Sequence, residues 1–300
     1  MRRTATGPLL VLAAAALWGT TGTAQALGPD GITPGTVAAV RMAGGSTLLL
    51  YAVLRRETVS VRLLFGPALL AAIAAMASSQ PLFFTGVAKT GVAVGTIVTI
   101  GSGPILAGLL GWAVRGESVG GRWAIATILS VGGAVLIASG GAAAGIDGGG
   151  LVFALGAGLA WAVYLVAAKA LFAEFPPIFV VAVVFSASAI VLAPWFVVSH
   201  PVWILSGRGA LVAAWFVVTT ALSYVLFAFG LSGTPIAAAA TLSLSEPLTA
   251  AILGMTVLGE PVRATTVGGI VLVALGLFVI SSDQPVEPVA EVEPGRTTLS

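Results

Sequence analysis

The 300-residue sequence contains no cysteine and a single histidine, His200. Disulfides, thiolate zinc sites, iron–sulfur clusters and haem attachment are thereby excluded, and no side-chain cluster of the usual kind is left to hold a metal. There is no asparagine either, and so no acceptor for N-glycosylation. Charge is also scarce. Asp, Glu, Lys and Arg make up 8% of the chain, against roughly a quarter in soluble proteins, which is too little to clothe a water-facing surface. The 13 basic residues behind the formal net charge of +2 are scattered and form no stripe for a nucleic acid. What fills the sequence is apolar: 58% hydrophobic residues and a mean hydropathy of +1.09. Such a chain must face lipid or other buried helices, so the fold class is an all-α integral membrane protein.

A bilayer core of about 30 Å needs roughly 20 apolar residues per helix. Charged or Gly/Pro-rich breaks divide the chain into ten such runs, near Pro8 to Ala26, Thr33 to Leu54, Leu64 to Val87, Gly91 to Val114, Arg122 to Ser139, Leu151 to Phe172, Pro177 to Ser199, Gly209 to Gly230, Thr234 to Leu258 and Ala264 to Ser281. The first run follows Arg2 and Arg3 and imitates a signal peptide; with nine further spans behind it, an uncleaved helix is expected. Alternate loops carry nine basic residues on the N-terminal side (Arg2, Arg3, Arg55, Arg56, Arg62, Arg115, Arg122, Lys169, Arg296) and three on the other (Lys89, Arg208, Arg263). The positive-inside rule then puts both termini in the cytoplasm of a cell (inner) membrane, as an even number of spans requires. Lys89, Lys169 and Arg208 fall at span ends, where interfacial anchors are expected. Residues 140–150, a Gly/Ala run with one Asp and no Lys-Ser or Lys-Thr of a phosphate loop, are expected to be a flexible linker. Residues 282–300, rich in proline and acid, are expected to be a disordered tail.

Sliding the chain against itself exposes a repeat. At an offset of 143, the segment starting at Gly103 meets the one starting at Glu246 with eight identities in seventeen positions, among them Pro104/Pro247, Gly116/Gly259 and Glu117/Glu260; Trp18 pairs with Trp161 at the same offset. At 144, Ser79/Ser223, Phe83/Phe227, Gly86/Gly230 and Thr90/Thr234 coincide. Residues 1–139 and 151–281 are therefore two copies of a five-helix unit. Because five is odd, the second copy enters from the opposite side, and the halves are related by an axis in the membrane plane. This is the inverted-repeat arrangement of many secondary transporters, whose substrate site lies between the halves.

The doubled Pro, small and apolar residues, Gly-Glu and Gly-rich helix, the Trp midway along the first helix of each half, and Val40-Arg41-Met42-Ala43-Gly44-Gly45 together resemble the EamA-type family of the drug/metabolite transporter superfamily, over about residues 8–281. The resemblance implies a ten-helix transporter, commonly an exporter of amino acids or other small metabolites, with a central cavity between its halves.

Candidate site residues follow from polarity and depth. Trp18 and Trp161 lie too deep for an aromatic belt, so they either line a cavity or pack between helices. Gln80 and its partner Tyr224 are polar groups in mid-helix, which normally face the bundle interior; Gln25, Tyr164 and Ser243 are weaker candidates. Arg41 and Glu246 break the repeat, corresponding to Phe185 and Gly103. A charge near the midplane costs about 2.5 to 3.5 kcal/mol by insertion scales. Arg41 could snorkel to the interface about 12 Å away, whereas Glu246 has no such escape and either is held protonated in the bundle or meets a substrate amine or a proton. Pro104, Gly116, Glu117, Pro247, Gly259 and Glu260 sit in or at the end of the fourth and ninth spans and read as structural or gating: Gly permits a tight exit, and Glu meets the amides that start the next helix. No HExxH, G-x-S-x-G or pair of intramembrane aspartates is present, so no enzyme is expected, and no nucleotide motif, so a proton or substrate gradient is the expected driver. The sequence thus points to a secondary transporter of a small-molecule substrate in the lipid bilayer, without cofactor or nucleic acid. Export of drugs or quaternary cations is the alternative, an intramembrane enzyme the distant one, and nothing sets an oligomeric state.

Overall fold

A computed structural model describes residues 6–54, 66–139, 147–198 and 201–281. The expected tail and residues 140–146 of the expected linker lie outside these. The chain forms α1 (Thr6–Ala26), α2 (Pro34–Leu54), α3 (Pro67–Thr90), α4 (Val92–Arg115), α5 (Gly121–Ala138), α6 (Gly148–Glu174), α7 (Pro177–Val198), a 3-10 turn (Val202–Leu205), α8 (Gly207–Gly233), α9 (Ile236–Leu242), α10 (Ser245–Thr256) and α11 (Ala264–Ser281), with no strand among the described residues. Nine segments among the described residues are long and apolar enough to cross a membrane, with α9 and α10 counting as one. α2 matches α1 in length, at 21 residues.

Two departures from the expected spans bear on the site. α6 starts at Gly148, not Leu151, because Asp147 caps it: its Oδ1 accepts from the amides of Gly149 at 2.7 Å and Gly150 at 3.2 Å. An N-cap carboxylate satisfies amides that a helix start leaves orphaned, so the last three glycines of the expected linker become the first turn of a helix. The ninth span is broken at Ser243–Leu244. Pro247 has no N–H to offer the carbonyl of Ser243 four residues back, and the Glu246 amide bonds that carbonyl instead, at 3.0 Å. Its repeat partner Pro104 lies inside α4, which runs unbroken.

The packing is two-fold. Exchanging the halves maps α1 onto α6, α2 onto α7, α3 onto α8, α4 onto α9 plus α10, and α5 onto α11. Under that exchange the α1–α8 interface becomes α6–α3, α2–α8 becomes α7–α3 and α1–α10 becomes α6–α4, while α2–α7 and α5–α11 return to themselves; all are present. The seams repeat residue for residue. In one, a methyl on Gly230 would stand 2.8 Å from Val11 and one on Gly7 2.9 Å from Thr234; in the other, a methyl on Gly86 would stand 2.9 Å from Ala154 and one on Gly150 2.4 Å from Thr90. Small residues let helices approach closely where the solvent, being lipid, gives no hydrophobic drive. Both described ends of the bundle, Thr6 and Ser281, lie on one face, called here the terminal face, and the other is the far face. The expected inverted repeat is the architecture found.

Candidate functional site

At the junction of the halves, half-way along their helices, the aromatic residues expected from the repeat come together. Trp18 and Trp161 meet edge to face with ring centroids 5.6 Å apart. Tyr224 lies 5.1 Å from Trp18 and Tyr164 stacks on Trp161 at 5.5 Å. Phe227 and Phe185 complete the group, Phe227 at 5.1 Å from Trp18 and Phe185 at 4.4 Å from Tyr224. The tryptophans therefore touch one another, where two walls across an open space were one expectation. Trp18 is 4% exposed, and its indole N–H is buried without a hydrogen-bond partner among the described residues. Phe185 and Phe227 were not singled out in the sequence, although both stood in the repeat comparison, as the partners of Arg41 and Phe83.

The two symmetry-breaking charges flank this group. Arg41 is half-buried on α2 and its Nε donates to the Thr220 hydroxyl across 3.4 Å, so it turns inward to α8. Glu246 is half-buried in the first turn of α10, beside the break, where unsatisfied amides favour negative charge. Both lie within electrostatic reach of Tyr224, and Arg41 within reach of Glu246. The two are not joined as an ion pair among the described residues. Gly19 packs against the same turn, since a methyl there would stand 2.6 Å from the Glu246 carbonyl oxygen. Ser243 turns its hydroxyl back to the Ala239 carbonyl, and Gln80, half-buried on α3, makes no hydrogen bond to the aromatic group among the described residues.

A cavity of about 560 Å³ opens beside Glu246, between α1, α4, α5 and α10. It runs from Gly101 and Pro247 at mid-depth to Ala26, Leu258 and Glu260 at the far face. Its wall is largely apolar, of Ile97, Ile100, Val131, Val135 and Ala250.

The Gly-Glu pairs sit at helix exits, and both glycines are left-handed, at φ 67° for Gly116 and 69° for Gly259. The following amides close matching turns, Glu117 N to Gly111 O at 3.2 Å and Glu260 N to Gly254 O at 3.0 Å. Only a residue without Cβ adopts that conformation freely. The carboxylates then part company. Glu117 accepts from an amide at 2.6 Å, but from that of Ile236, at the start of α9 in the other half, and not from the next helix as expected. It also pairs with Lys169 at 2.8 Å. Lys169 is therefore no interfacial anchor: its side chain is 15% exposed and points into the bundle. Glu260 is exposed at the mouth of the cavity. Of the other expected anchors, Arg208 holds the Leu27 carbonyl at 2.5 Å, and Lys89 lies 4.0 Å from Asp147.

The comparisons with known proteins agree with this architecture. The chain is 44% identical over 285 residues to the uncharacterized transporter YwfM of Bacillus subtilis (strain 168), covering 94% of this chain and 96% of that one. A solved crystal structure shares the fold at a TM-score of 0.78 and 18% identity, covering 91% of this chain and 95% of that one. The model of the EamA-like transporter family matches twice, at residues 5–139 and 148–282, which coincide with the two halves. With ten apolar runs, a two-fold bundle and that doubled match, the chain belongs to the EamA-like transporter family.

Proposed function

We propose that this membrane transporter is a secondary active exporter of amino acids or similar small metabolites, working by alternating access across the cell membrane with its terminal face in the cytoplasm. The observation that carries the proposal is the placement of Arg41 and Glu246, half-buried and of opposite sign, beside one aromatic group at the junction of two repeats that otherwise match. Charges held at that depth are expensive unless they do something. A substrate with an amine and a carboxylate would meet Glu246 and Arg41 respectively, with its side chain against Trp18, Trp161 and Tyr224. The nine-to-three split of Lys and Arg between alternate loops, read from the sequence, supports the orientation. The aromatic faces beside a carboxylate also favour a second reading, export of drugs or quaternary cations through cation–π contacts.

Counterflow in proteoliposomes tests both. Saturable exchange of at least one amino acid is expected, and it is expected to be lost in Glu246→Gln if the carboxylate holds the amine. Survival of exchange in that variant with loss of proton-driven accumulation assigns Glu246 to the proton instead. Exchange of quaternary ammonium compounds but of no amino acid selects the second reading. Exchange of neither class would overturn both.

A further inference from the structure

The two halves match, but the two ends of the passage do not. On the terminal face, α9 is tied to its neighbours by four polar links. Lys169 of α6 donates to the Thr234 carbonyl at 2.6 Å, just before α9, and pairs with Glu117 at 2.8 Å. Glu117 accepts from the Ile236 amide at 2.6 Å. The Trp123 indole of α5 donates to the Ala237 carbonyl at 3.2 Å. The hydroxyls of Thr127 and Thr241 share a buried hydrogen bond at 2.8 Å.

The 143-residue offset gives the residues that stand in the same places on the far face. Lys169 becomes Ala26, Glu117 becomes Glu260, Trp123 becomes Thr266, Thr127 becomes Ile270 and Thr241 becomes Val98. Only the glutamate is kept. Of the two cations that Glu117 meets on the terminal face, Lys169 at 2.8 Å is replaced by a methyl group and Arg115, at a looser 3.9 Å, by Leu258, and there the cavity opens, with Ala26, Leu258 and Glu260 on its wall.

We infer that Lys169 is a one-sided lock: with Glu117 it holds the terminal face closed, and its absence from the equivalent position, Ala26, leaves the far face open at rest. The inference rests on the alternating-access reading, and adds to it which side is open at rest and the residue that decides this. Opening the terminal face requires α9 to leave α6 and the exit of α4, where Lys169 and its partner Glu117 stand, which breaks the Lys169–Thr234 and Ile236–Glu117 bonds together. Closing the far face brings α1 and α10 together with no ion pair gained, because Glu260 meets Ala26. The far-open state is therefore favoured by interactions that the terminal-open state does not replace.

The absence of native cysteine makes the test direct. Ile97 lines the far-face cavity, and its repeat partner Ala240 is buried on the terminal side. Ile97→Cys and Ala240→Cys are introduced singly and exposed to a membrane-impermeant maleimide from each side. In the otherwise natural chain, the thiol of Ile97→Cys is expected to react from the far face and that of Ala240→Cys to be protected. Adding Lys169→Met is expected to speed labelling of Ala240→Cys from the terminal face at least about fivefold, the lower end of typical coupling between sites, and to slow that of Ile97→Cys. Because Lys169→Met could impair folding, a second arm leaves the lock intact and builds its counterpart. Ala26→Lys is expected to protect Ile97→Cys by pairing with Glu260, and adding Glu260→Gln is expected to restore its reactivity.

If Lys169→Met folds and changes neither reactivity, or if Ala26→Lys protects equally well with Glu260→Gln present, the lock is overturned. A protein that shows no counterflow of any compound, but in which Lys169→Met still exposes Ala240→Cys, keeps the lock and loses the transport reading. A protein that carries substrate while Lys169→Met exposes nothing does the reverse.

Discussion

Trp18 holds two roles in one side chain. Its rings fill the junction of the halves, touching Trp161, Tyr224 and Phe227, while its N–H is buried without an acceptor among the described residues. A buried donor left unpaired costs about 1–3 kcal/mol, so a substrate that accepts from it gains what the empty site lacks. Trp18→Phe keeps most of the packing and removes the donor. Its thermal stability in detergent is expected to fall by clearly less than that of a truncation to alanine, because the phenyl ring keeps most of the buried volume, while its substrate affinity falls. Trp18→Ala, which leaves a cavity, is expected to cost about 3–5 kcal/mol. Equal stability losses in both variants would mean that the indole N–H is bonded after all. At this scale the sequence was readable where type and depth sufficed: an indole, a phenol or a charge in mid-span has few places to go but inward. Lys169 was misread because it lies near a span end, where a lysine ordinarily snorkels to the interface. Its partner Glu117 is in the other half and 52 positions away, a distance that no local pattern bridges.

Among the elements, the broken ninth span is the one whose shape bears on the site. Hydropathy ran unbroken from Thr234 to Leu258, and hydropathy does not sense a missing N–H. The proline was visible, but its repeat partner Pro104 sits in a helix that continues through it, so the break depends on what surrounds each proline as much as on the residue. By ending α9 at Leu242 and restarting at Ser245, the chain places Glu246 in a first turn, at mid-depth, beside freed backbone groups. Irregular backbone inside a membrane is tolerated where it is enclosed by protein or lines a cavity, and the cavity wall includes Pro247. Pro247→Ala returns an N–H that can bond the Ser243 carbonyl and draw α9 and α10 into one helix. Initial rates of counterflow are expected to drop at least tenfold while melting temperature holds or rises. A variant that transports normally would mean that the break serves folding alone.

The whole molecule is the scale at which the sequence was most informative, since the 143-residue offset was legible in identities such as Pro104/Pro247 and fixed both the number of helices per half and their opposed orientation. Which end of the passage is open was not legible. It depends on a difference between halves, Lys169 against Ala26, whose meaning appears only when α6 and α9 are seen packed together. The central claim is that the halves exchange access by moving against each other about the two-fold axis, so that one face closes as the other opens. Asp30, in the turn after α1, and Val262, in the loop after α10, are exposed on the far face, and their partners at the same offset, Ala173 and Val119, lie on the terminal face. Spin labels on cysteines at the first pair, and in a separate sample at the second, report each face by pulsed electron resonance distances. On addition of a compound that the counterflow assay shows to be carried, the Asp30–Val262 distance is expected to shorten and the Ala173–Val119 distance to lengthen. Distances that move in the same direction, or that stay fixed while transport proceeds, would contradict alternation about that axis.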